Sequence, residues 1–143
     1  MRLPNNEKIP TLDEFLELIS GEVPILVELK DQDYMINQNT FCIEQSVANS
    51  LKDYAGPVAV MSFNPGSMEV FGSKLPFIPR GLVTEAFKKH DWPLLDAKKL
   101  QRLRSLVEVG NIAASFISHE HSDLNSEYIS RIPLDTKIFC WTV

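Results

Sequence analysis

Five short apolar runs rich in branched residues recur along the chain, starting at residues 25, 58, 80, 113 and 137. The segments between them place their apolar residues at helical spacing. Such alternation predicts parallel strands joined by helical crossovers. The starts lie on average 28 residues apart, close to the roughly 31 per strand-helix unit of an eight-strand barrel. An open doubly wound sheet also suits five strands, although no glycine-rich phosphate loop follows any of them. Periodicity alone leaves both architectures open.

Local signals place the elements. Thr11 with Glu14 three positions on forms a capping box, so a helix starts at Leu12. Its stripe is Leu12, Phe15, Leu16 and Ile19, and Ser20 and Gly21 end it. Ile25 to Lys30 and Val58 to Phe63 read as buried strands. Phe41, Val47, Ala48, Leu51 and Tyr54 mark one helical face between them, with Gly56 as a stop. Asn64, Pro65 and Gly66 make a turn before a weak helix around Met68 to Phe71, and Pro79 to Thr84 is the third strand. Asp96 caps the next helix, with Leu100, Leu103, Leu106 and Val107 on one side and Lys98, Lys99, Arg102 and Arg104 as a solvated face. Ala113 to Ser118 reads as the fourth strand, Ser126 to Ile132 as a short helix, and Lys137 to Val143 as the fifth strand.

Composition narrows the function classes. The 143 residues carry 14 Lys plus Arg against 19 Asp plus Glu, a net charge of −5, with 44% hydrophobic residues, which suits one globular domain. No basic cluster favours nucleic acid as a partner. No apolar run reaches the ~18 residues of a membrane span. Met1 to Pro10 shows no apolar stretch of the secretory kind, and localisation stays open, cytoplasmic if no signal lies upstream. Cys42 and Cys140 sit in apolar surroundings and read as two buried thiols.

Glu28 and Lys30 are two apart, so they share a strand face with Leu26, while Ile25, Val27 and Leu29 take the other. Active sites of parallel α/β barrels gather at that carboxyl end. An ion pair, or a metal carboxylate beside an anion-binding lysine, are the two readings. His119, His121 and Asp123 follow the H-x-H-x-D pattern of metallo-β-lactamase-like hydrolases, but the closing position is Leu124 and the remaining histidine is His90. A polar loop with His119 facing a pocket is the alternative there. Phe139 and Trp141 alternate with Cys140 and Thr142, so one strand face carries large rings that are either core or the wall of a pocket. No nucleophile elbow, phosphate-binding loop or C-x-x-C pair is present.

Ile9-Pro10-Thr11-Leu12-Asp13-Glu14-Phe15-Leu16, Val23-Pro24-Ile25-Leu26-Val27-Glu28-Leu29-Lys30, Val60-Met61-Ser62-Phe63, Pro79-Arg80-Gly81-Leu82 and Cys140-Trp141-Thr142-Val143 occur in that order. Together they resemble the glycerophosphodiester phosphodiesterase family across nearly the whole chain. The resemblance implies a TIM barrel and metal-assisted hydrolysis of a glycerophosphodiester to an alcohol and glycerol phosphate, a reaction of lipid metabolism. It also implies that Glu28 binds a divalent cation, Ca²⁺ or Mg²⁺, that Lys30 meets the substrate phosphate, and that Trp141 walls the pocket. A hard cation with oxygen ligands would neutralise the phosphoryl oxygens.

The family's H-R-G strand, its E-x-D carboxylates and its second catalytic histidine belong before the I-P-T-L motif, and its final strand follows W-T-V; none is present in this chain. The expectation is therefore a single partial domain over residues 1–143, resembling strands three to seven, with the first two strands and the last missing. No catalytic residue is assigned, and the isolated chain is expected to be inactive. Open edges at the Ile25 and Lys137 strands would favour a homo-oligomer, a complementary chain or aggregation. A non-catalytic remnant acting as an interaction module is the alternative from another class.

Overall fold

The computed structural model describes residues 8–30, 35–36 and 42–143. In chain order the elements are α1 (Leu12–Ile19), β1 (Ile25–Glu28), α2 (Cys42–Leu51), β2 (Val58–Ser62), α3 (Pro65–Lys74), β3 (Arg80–Thr84), α4 (Ala97–Arg104), α5 (Val107–Asn111), β4 (Phe116–Glu120) and β5 (Lys137–Trp141). Two 3-10 turns, His121–Asp123 and Ile129–Arg131, lie between β4 and β5. All four strand pairings are parallel and the sheet order is β1-β2-β3-β4-β5. The sheet curls into a half-barrel, a partial TIM barrel, which decides between the two architectures that periodicity left open.

Strand alternation divides the side chains. Leu29, Val60, Leu82 and Ile117 enter the core with Leu16, Leu51, Met68, Phe71 and Val109 from the helices. Burying one such side chain contributes about 1.5–3 kcal/mol. The other parity faces the lumen, where Leu26 and Phe139 are about half exposed. Gly81 has to be glycine there, because a Cβ would stand 2.3 Å from the Phe116 ring. At the amino-terminal end of the sheet, the Gly21 amide (φ 79°) donates to the Tyr54 hydroxyl, and a Cβ on Gly21 would lie 3.3 Å from Gly56.

The capping box at Thr11 and Glu14 forms in full and starts α1 as expected. Phe41 lies outside the described residues; Val47, Ala48 and Leu51 are buried on α2. Several expectations need correction. The helix capped by Asp96 stops at Arg104, because Leu106 takes left-handed backbone (φ 55°), and Val107 turns out to solvent. The fourth strand begins at Phe116 rather than Ala113, since Ala113 and Ala114 bond back to Gly110 and Val109 and finish α5. Ser126 to Ile132 holds only one 3-10 turn, and the fifth strand ends at Trp141. Both cysteines are exposed: Cys42 opens α2, and Cys140 lies on an edge strand. The basic face of α4 is only partly solvated, because Lys99 and Arg104 donate to backbone carbonyls of other segments. Among the described residues no helix is long and apolar enough to cross a membrane.

Candidate functional site at the carboxyl rim

The rim is anchored by the residue between its two charges. Leu29 is buried, its amide donates to the Met61 carbonyl (2.8 Å), and its own carbonyl accepts from the buried Ser62 hydroxyl (2.7 Å). Glu28 and Lys30 must then project from the opposite, lumen-facing side. They meet, with Lys30 Nζ 2.7 Å from Glu28 Oε1. The lysine side chain is 70% exposed and the glutamate 23%, so the pair is a surface contact.

Trp141 ends β5 and its indole Nε1 donates to the Ser118 carbonyl (2.8 Å). Its ring stands edge-on to Phe63, centroids 5.8 Å apart, and Phe63 directly follows β2. Trp141 thus reaches across the lumen to the strand beside β1, although β1 and β5 are opposite edges of the sheet. Phe63 also packs on Trp92 (5.4 Å) and Phe87 (6.3 Å).

Three rim residues escaped the sequence reading: Glu85, Trp92 and Glu120. Thr84 pairs with His119, which sets Glu85 beside Glu120 on neighbouring strands. Burial pushes the Glu85 carboxyl above the usual carboxylate range, and the charges of Asp91 and Glu120 add to it. The Trp92 indole, which donates to Glu85, and the Lys88 charge pull the other way without cancelling it. Lumen parity from Gly81 through Val83 was the available signal for Glu85; its pairing with Glu120 needed the register.

His119 faces the helix side of the sheet, buried, with Nδ1 2.8 Å from the Thr84 hydroxyl and Nε2 3.3 Å from Asp123 Oδ2. Both ring nitrogens therefore have a polar partner. His121 is exposed. Among the described residues no group of three His, Cys, Asp or Glu side chains could hold a metal ion, which removes the support for the H-x-H-x-D reading. A cleft of about 610 Å³ between α3 and α4 is bordered by Asn64, Glu69, Lys99, Arg102 and Glu108, and Glu28, Lys30 and Trp141 do not line it.

No family model matches the chain. YhdW of Bacillus subtilis (strain 168), whose name carries a provisional assignment as a glycerophosphodiester phosphodiesterase, is 26% identical over 140 residues, covering 96% of this chain and 51% of that protein. A glycerophosphodiester phosphodiesterase structure from Parabacteroides distasonis superposes with a TM-score of 0.64 at 18% identity, over 100% of this chain and 55% of its own. An Oleispira antarctica phosphodiesterase, solved with its product sn-glycerol-3-phosphate, gives 0.66 at 21% identity, over 94% and 49%. The chain spans about half the length of these proteins. Over that half, the chain resembles the glycerophosphodiester phosphodiesterases in sequence, and its fold is theirs.

Proposed function

We propose that residues 1–143 form one partial phosphodiesterase domain that contributes the Glu28 and Lys30 side of a metal-dependent site for glycerophosphodiester hydrolysis. The observation that carries this reading is the carboxylate–ammonium pair at the carboxyl end of β1 in a half-barrel of this family's fold. Lys30 would neutralise the phosphate, and Trp141 with Phe63 would wall the alcohol end. One carboxylate falls far short of the roughly six to eight oxygens that Ca²⁺ takes, or the near-octahedral shell of Mg²⁺. The described residues therefore do not by themselves fit the cation.

The isolated chain is expected to show no turnover. It is expected to bind sn-glycerol-3-phosphate weakly in isothermal titration calorimetry with Ca²⁺ or Mg²⁺ present, and Lys30→Ala is expected to remove most of that binding. Binding indifferent to both Lys30→Ala and Glu28→Gln would refute the site. Turnover lost in Glu28→Gln would refute the inactivity.

A second reading, a non-catalytic interaction module, is favoured by the half-exposed lumen residues Leu26 and Phe139 and by the edge positions of β1 and β5. A homo-oligomer or a complementary chain would both use those edges, and native mass spectrometry tells them apart.

A further inference from the structure

Among the described residues three buried apolar side chains sit on left-handed backbone: Leu106 between α4 and α5, and two near the rim, Ile36 (φ 49°), in the chain after β1, and Phe87 (φ 45°), just after β3. Side chains with a Cβ avoid this region, and such residues persist only where their surroundings over-determine them. Here one helix does so for the two near the rim. From α4, Lys99 Nζ donates to the carbonyls of Met35 and Ile36. Arg104, at the other end, donates through Nε to Ala86 O (2.6 Å) and through Nη2 to Phe87 O (2.9 Å). Between these ends, Leu100 and Leu103 pack with Ile36, Phe87 and Leu95 into a core separate from the main one, against which Phe63 and Trp92 rest.

Both segments emerge from carboxyl ends of strands. One follows the Glu28–Lys30 pair, and the other carries Glu85 and Trp92. A basic side chain that holds two carbonyls restricts the backbone on either side of them, and two such holds on one rigid helix fix the two segments relative to each other.

We infer that Lys99 and Arg104 are positioning residues of the rim: α4 is a clamp that holds Met35 and Ile36 on one side and the segment after β3 on the other, with Ile36 and Phe87 in left-handed backbone. Through the latter segment it keeps the Trp92 indole on Glu85. The importance of the clamp for phosphodiester chemistry rests on the reading proposed above, but the clamp itself does not.

A Trp141→Phe background leaves Trp92 as the only tryptophan, and its fluorescence followed against pH reports the Glu85 titration. Arg104→Gln is expected to red-shift Trp92, to raise its acrylamide quenching several-fold, and to lower the titration midpoint toward the usual carboxylate range. Arg104→Lys, which keeps a donor, is expected to restore most of the parent behaviour, and it serves as the test if the glutamine variant does not fold. Lys99→Gln removes the ammonium that Met35 and Ile36 accept from and should leave Trp92 as in the parent. A Trp92 that ignores Arg104→Gln, or that responds equally to Lys99→Gln, overturns the assignment. These measurements need no substrate, so loss of the phosphodiesterase reading would not decide them.

Discussion

The rim of the half-barrel differs between its edge and its middle. At β1 the Lys30 member of the charged pair is largely exposed, and the buried Leu29 between the two charges seats the strand end. At β3 and β4 the polar groups are enclosed: His119 is wedged between Thr84 and Asp123, and Glu85 is capped by Trp92. An interior strand has a neighbour on each side, so its rim residues exchange hydration for fixed partners, while an edge strand leaves one flank to water. The charged pair at the edge therefore adds little to stability, whereas the partnered polar groups of the middle add more.

Four substitutions break or sharpen this contrast. Leu29→Asp puts an unpaired carboxylate at a site only 2% exposed, and a loss of about 4 kcal/mol or more is expected, read as unfolding in circular dichroism. A variant that melts like the parent would show that the edge strand is not seated on the helices. His119→Ala leaves Thr84 and Asp123 without their buried partner, and denaturant titration should show a loss of about 2–3 kcal/mol.

Glu85→Gln acts through pH. Because the folded protein holds this carboxyl above its usual value, the protonated form favours folding. Its contribution is complete below the usual carboxylate range and is lost as pH rises through the raised value. The parent's thermal midpoint should fall over that window more than the glutamine variant's, and equal slopes would contradict the assignment. Glu108 runs the opposite way: burial raises it, but hydrogen bonds from Arg102 and Asn111 and the Arg102 charge outweigh burial, so its contribution is lost as pH falls. Lys30→Ala should be the smallest, below about 1 kcal/mol in stability, because the lysine is 70% exposed. A larger loss would mean that the edge is as enclosed as the middle.

Legibility in the sequence follows the range of the interaction. The capping box at Thr11, the i, i+2 relation of Glu28 and Lys30, and the entry prolines at Pro24 and Pro79 act within a few residues, and each can be read directly. The carbonyl contacts of Lys99 and Arg104 join segments distant in the chain, which local spacing does not show, and the break at Leu106 and the late start of β4 at Phe116 are backbone turns that apolar periodicity does not mark. Cys140 shows a related effect: apolar neighbours in sequence do not bury a thiol on a sheet edge with one flank open, and Cys42 is exposed at the first position of α2. Glu85 and Glu120 become a pair only once Thr84 and His119 set the register.

The junction of Gly21 with Tyr54 and Gly56 has a mechanical consequence. It rivets the first two strand-helix units together at the amino-terminal pole, where a hydroxyl and two glycines leave no slack. With the Leu29 and Ser62 hydrogen bonds at the other pole, β1 and β2 are fastened at both ends, so the two strands form one plate and Glu28 and Lys30 are carried with β2.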